Sequence, residues 1–257
     1  MNKSLPLFSD TFIMSKRCLT LSMRNIDTVL TSLVSPLLLL LLFVSLFGGA
    51  IDVGGISYIN YIFPGVILQC AGQCAATTAI SVSSDIKQGI IDRFLTMPIK
   101  KSSILTGHVL EAMIRNLLTI ITLVIVALVV GFHPEAQFHE WLLAIGIILL
   151  FVATLSWSAV LFGILANSPE GASAFSIFAI TLPYLSSGFV PIDTMPKWLQ
   201  VFADNQPMTP VIETVRALLL GQKFEMNDLL LSLVWCLALT VFFYTLARRA
   251  FKKKMLK

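Results

Sequence analysis

The stretch TVLTSLVSPLLLLLLFVSLF, from Thr28 to Phe47, decides the fold class. It carries no charge over 20 residues, and a helix of that length rises about 30 Å, the thickness of a bilayer's hydrocarbon core. It begins well inside the chain and at full spanning length, so it reads as an uncleaved membrane helix and not as the short apolar centre of a signal peptide.

Working outward from this stretch, the same criterion predicts five more spans. The full set is 28–47, 58–81, 114–131, 142–166, 172–190 and 229–246. Composition agrees. The chain is 56% hydrophobic and 12% charged, whereas soluble domains carry about 25% charged residues. A formal charge of +4 does not make a nucleic-acid surface, because the cations are divided among the segments between apolar runs. The expectation is a single all-α membrane domain over 1–257, with no nucleic-acid partner and membrane lipid around it.

Lys and Arg orient it. Lys3, Lys16, Arg17 and Arg24 precede the first span; Lys87, Arg93, Lys100 and Lys101 follow the second; Arg248, Arg249, Lys252, Lys253, Lys254 and Lys257 close the chain. The alternate connections hold only Lys197, Arg216 and Lys223. Short basic loops stay in the cytoplasm, which places both termini inside and the turn around Asp52, Gly54 and Gly55 outside. Before the first span, 8–26 reads as an interfacial helix, with Phe8, Phe12, Leu19, Met23 and Ile26 on one face and Arg17 and Arg24 on another. Between the fifth and sixth spans, Trp198 and Phe202 mark one short helix. Thr209, Pro210 and Gly221 cap, open and end a second, giving an outer re-entrant or interfacial pair.

The segment 85–98 carries the functional reading. Ile86, Ile90, Phe94 and Met97 recur at helical spacing, Pro98 ends the run, and Asp92 and Arg93 supply orienting charges. An amphipathic helix in a cytoplasmic loop lies on lipid or docks in a partner's groove.

Gly89, Arg93 and Pro98 at this spacing, followed by Gly107, resemble the signature of type 2 ABC exporter permeases. Phe63-Pro64-Gly65, Ser187-Gly188-Phe189-Val190-Pro191, Met195-Pro196, Asn205, Pro207 and Arg216 are similar to later elements of that family, and the overall pattern resembles its daunorubicin-type drug-resistance branch. The resemblance implies a bacterial cytoplasmic-membrane permease whose coupling helix, with Ile86, Gly89, Ile90, Asp92, Arg93, Phe94, Met97 and Pro98, sits on a separate ABC ATPase present in two copies. It also implies a second permease copy, most simply a homodimer, and export of an amphiphilic or drug-like substrate. The chain has no Gly-Lys dipeptide and hence no P-loop lysine. It is therefore expected not to be an enzyme, with ATP and Mg held by the partner. Export of a polysaccharide, glycolipid or peptide by the same kind of machine is the alternative; an ATP-independent secondary transporter is a further one, which predicts intramembrane charge or broken helices.

Glu111 and Arg115, one turn apart, are expected to pair, as a structural pair or a transmission element. His133, Glu135, His139 and Glu140 match no metal-site spacing. His108 has no obvious partner. Cys18 and Cys236 stand alone, and Cys70 and Cys74 lie one turn apart in a span; all four read as packing residues. Gln69, Gln73, Thr77, Thr78, Ser156, Trp157 and Ser158 are polar or aromatic positions within spans that could line a pathway, but such residues also mediate ordinary helix packing, so none is assigned to substrate.

Overall fold

A computed structural model describes residues 7–51, 53 and 55–254, with side-chain surroundings from Asp10 onward. Lys3, Asp52, Gly54 and Lys257 lie outside the described residues, as does the side chain of Phe8. Among the described residues the chain is helices and connections, without strands.

Five helices are long and apolar enough to cross a membrane: α2 (Ile26–Phe47), α3 (Tyr58–Lys87), α5 (Lys101–Val130), α6 (Phe138–Leu165) and α11 (Met226–Lys254). Helix α3 is the axis of the bundle. Its 30 residues reach about 45 Å at 1.5 Å per residue, and it is buried on nearly all sides, as suits a helix without a strongly polar face. It continues past the expected limit at 81 to Lys87, because nothing before Gln88 breaks it. Helix α5 likewise starts at Lys101 and not near 114. Its first turns carry Ser103, His108 and Glu111, which are buried by neighbouring helices, so apolarity alone understates its length.

The expected fifth span, 172–190, is not one uninterrupted helix. It consists of α7 (Pro169–Ser173), α8 (Phe175–Thr181) and a 3-10 turn, Leu182–Leu185. Ser168 caps α7 by accepting from the Gly171 amide, the Ala174 amide bonds three residues back to Gly171, and Pro183 removes a donor within the tightened last turn. The segment runs antiparallel along α3. Ala172 packs with Ala75, Ala76 and Ala79; the Ala179 carbonyl lies where a side chain on Gly72 would project, and Gly188 lies likewise against Gly65. The Tyr58 hydroxyl donates to Phe189 O at 3.2 Å. Small residues on both partners permit this backbone approach.

Two short helices follow, as expected: α9 (Lys197–Asn205) and α10 (Met208–Leu219). Trp198 and Phe202 are exposed on α9, whereas Val211, Ile212, Val215 and Leu218 seat α10 within the core. Thr209 does not cap α10; its hydroxyl donates to Ala203 O, tying α10 back to α9. Gly221, at φ +60°, follows the end of α10 as anticipated.

Helix α1 (Leu7–Arg24) packs on α5 through Met14, Ser15 and Cys18, with Met14 against the bare backbone of Gly107. Phe12, Met23 and the following Ile26 are exposed and Leu19 is half-buried. The side carrying Asp10, Thr11, Met14, Ser15 and Cys18 therefore faces inward, and Phe12 and Met23 face outward.

Candidate functional site

The segment between α3 and α5 is built by one glycine. Gly89 takes φ +67°, which no residue inside a right-handed helix can hold, so the helix expected over 85–98 is broken there. Asp85, Ile86 and Lys87 complete α3, and a separate helix, α4 (Ile90–Leu95), starts in a new direction. Thr96 ends it, its hydroxyl donating to Arg93 O at 2.7 Å, before Pro98.

The break changes which residues face inward. Ile91 is the buried anchor, while Ile86, Phe94 and Leu95 pack against a cluster that includes Ile104, Trp157, Leu161 and Phe251. Ile90 is half-buried. Asp92, Arg93, Met97 and Pro98 are exposed, with Met97 showing 50% of its surface. Extrapolating one helical period across Gly89 put Phe94 and Met97 on the same side; the turn separates them.

Behind α4 lies a charged junction. Arg17 of α1 holds Asp85 of α3 with two bonds, at 2.8 and 3.2 Å, and its guanidinium lies 5.0 Å from the centre of the Phe94 ring. The hydrogen bond to Asp85 raises the pKa of Arg17 above its ordinary value, against the opposing effect of partial burial. His108 of α5 approaches the same carboxylate at 3.3 Å through Nε2, and Cys18 Sγ at 3.7 Å through Nδ1. The Lys100 amide donates to Asp10 at 3.2 Å, so α1 also supplies an acceptor at the start of α5. One turn deeper, Arg115 Nε donates to Glu111 at 2.8 Å. Its Nη2 reaches Thr78 Oγ1 at 3.0 Å and Cys74 O at 3.1 Å, and Nη1 donates to Thr77. The two charge groups flank a cavity of about 280 Å³ lined by Arg17, Cys18, Asp85, His108, Glu111 and Arg115, among others.

Residues 9–220 match the family described as ABC-2 type transporter. The chain belongs to the ABC-2 type transporter family. It is 32% identical over 187 residues to the daunorubicin resistance ABC transporter permease protein DrrB1 of Streptomyces coeruleorubidus, covering 72% of this chain and 66%, just under two thirds, of that protein. It is 24% identical over 237 residues to the probable doxorubicin resistance ABC transporter permease protein DrrC of Mycobacterium tuberculosis, covering 91% and 84%. It is 27% identical over 197 residues to the inner membrane transport permease YadH of Escherichia coli, covering 74% and 76%.

In this ABC-2 chain the expected Glu111–Arg115 pair forms, and it bridges α5 to α3. Three other groupings escape local spacing. His108 has Asp85 and Cys18 as neighbours; Cys18 is not alone; and Arg216, assigned by its position to the loop charges, is buried. Arg216 donates to Tyr61 O at 3.0 Å, Ser187 O at 2.5 Å and Glu213 at 2.7 Å, and stacks 3.8 Å from the Tyr61 ring centre. Most of these partners lie tens of residues away, and the signal available in the sequence was the mere presence of titratable groups beside spans. Ser156 and Ser158 bond carbonyls of their own helix, and Trp157 meets Tyr244 edge to face at 4.8 Å. Glu140 accepts from the Gln137 amide at the start of α6, and no group of three His, Cys, Asp or Glu side chains among the described residues is arranged to hold a metal ion.

Proposed function

We propose that this ABC-2 chain is the membrane-spanning permease subunit of an ATP-driven exporter, moving an amphiphilic or drug-like substrate out of the cytoplasm or inner leaflet of a bacterial membrane. The single observation that carries it is α4: a short helix anchored from behind by Ile91 and Phe94 and presenting Asp92, Arg93 and Met97 outward. In this reading α4 docks on a separate ABC ATPase, two copies of which bind ATP and Mg and drive two permease chains. The names of the relatives, permeases of drug resistance, support the substrate class.

The α4 end is cytoplasmic in this reading, because Lys87, Arg93, Arg248, Arg249, Lys252 and Lys253 gather there or nearby. With 169–189 as a bent fifth crossing, the chain crosses six times and both termini are inside. The side-by-side course of α6 and α11 supports this count: Thr154 lies 3.0 Å from Cys236 O and Lys254 donates to Ala166 O at 3.1 Å, so both helices end together. The apolar faces left open on α2 and α11 suit lipid and a second copy. A push on α4 passes through Phe94 to Arg17 on α1, and through Asp85 and His108 to α3 and α5, the helices that alternating access must move.

Paired substitution Arg93→Glu and Met97→Asp tests docking without touching the buried anchor. The protein is expected to reach the membrane with unchanged thermal stability, while co-purification of its ATPase and substrate export in vesicles fall at least about tenfold, the equivalent of about 1.4 kcal/mol. Wild-type association would remove α4 from the interface.

A further inference from the structure

The junction behind α4 has a chemical character that docking does not need. Cys18 Sγ lies 3.7 Å from His108 Nδ1, and the other ring nitrogen of His108 lies 3.3 Å from the Asp85 carboxylate. The carboxylate can only accept, so Nε2 carries a proton, and in the neutral form of the ring Nδ1 turns its lone pair to the thiol. Arg17 Nη1 is 4.0 Å from the same sulfur. A base, a group that orients the base, and a cation beside the sulfur are the surroundings that activate a cysteine. Cys18 exposes only 7% of its surface, but it lines the 280 Å³ cavity, which is open to reagents of modest size. Among the described residues, Cys70, Cys74 and Cys236 have no histidine beside the sulfur, and all three are buried.

We propose that Cys18 is a nucleophilic thiol, activated by His108 and positioned by Asp85, that is modified by soft carbon electrophiles entering this cavity. With an enone or maleimide the Cys18 Sγ–H proton passes to His108 Nδ1 as sulfur bonds the β-carbon. The carbon–carbon π pair moves to the α-carbon, and His108 returns the proton there. The product is a neutral thioether, with no leaving group and no change that calls for an oxidant. Tight metal coordination is a poorer reading of the same groups, because Arg17 already occupies the carboxylate with both terminal nitrogens. The reactivity of this one thiol does not depend on the transport reading.

The test is site-resolved mass spectrometry of the full chain in detergent micelles during limited treatment with N-ethylmaleimide. A Ser81→Cys variant provides a second thiol in the same cavity, more exposed than Cys18 and without histidine contact in the wild-type geometry. Cys18 is expected to react at least about tenfold faster than the thiol introduced by Ser81→Cys, and faster still than Cys70, Cys74 and Cys236. His108→Gln is expected to slow Cys18 by about tenfold or more and to leave the introduced thiol unchanged. Reaction of Cys18 no faster than the introduced thiol would overturn the proposal in the unaltered site, whether or not the His108 variant folds. Insensitivity of Cys18 to His108→Gln in a folded variant would overturn it as well.

Discussion

Arg115 shows what one side chain does in a membrane helix. Its guanidinium is buried, pairs with Glu111 on its own helix and donates across to Thr77, Thr78 and Cys74 O on α3. Arg115→Leu removes the charge and leaves Glu111 buried beside three abandoned acceptors. Unfolding in mixed micelles is expected to show a loss of about 3–5 kcal/mol. Arg115→Lys should recover only part of it, because a single ammonium cannot meet acceptors on two helices with the planar fork of arginine. Half of this arrangement is legible in the sequence: a glutamate four residues before an arginine pairs on any helix. The other half is not, since Thr77 and Thr78 precede Arg115 by 38 and 37 residues. The same distance in sequence hides the partners of His108 and Arg216. A local pattern reports what a residue's own helix offers and is blind to what the next helix brings.

Among elements, the long apolar helices announced themselves, and the failures fall where backbone geometry outweighs composition. Helix α4 turns on Gly89, and the continuous period from Ile86 to Met97 concealed a change of direction that only the glycine's positive φ allows. The stretch 172–190 reads as apolar enough for a single helix, but Pro183 and the close seat against α3 divide it. Two glycine substitutions separate these effects. Gly89→Ala meets only Asp92 Oδ2, at 3.9 Å, so its cost is the left-handed backbone, about 1–2 kcal/mol. Gly72→Ala would drive a methyl group into the Ala179 carbonyl and cannot be relieved by a side-chain rotation. It is expected to lower the thermal midpoint more than Gly89→Ala, and to loosen α8 from α3, seen as faster amide exchange confined to 175–185. Equal effects from the two would mean that the contact between Gly72 and α8 contributes little.

For the whole molecule the question is how many times the chain crosses. Five helices meet the criterion by length and composition, and the proposed six-crossing topology requires the interrupted segment beside α3 to be the sixth. Single cysteines at Gln88 and Lys197, both exposed, placed in a Cys18→Ser background, decide it. In sealed vesicles of known orientation, a membrane-impermeant maleimide is expected to label Gln88→Cys from the cytoplasmic side and Lys197→Cys from the opposite side. Labelling of both from one side would mean that 169–189 folds back and would reverse the six-crossing topology.

The junction that fastens α1 also sets a problem of timing. Asp10 and Cys18 each find their partners 90 residues later in the chain, and Arg17 finds its carboxylate 68 residues later. At about 5–20 residues per second, a ribosome needs roughly 5–20 s to make that intervening stretch. During that interval the first helix has its acidic and cationic groups ready and nothing to join them to. It must wait at the water-facing surface, apolar side against lipid, until the end of α3 and the start of α5 emerge. Helix α1 is therefore locked well after its own synthesis, once the end of α3 and the first turns of α5 have been made, and α6 to α11 are added to a bundle that already holds it.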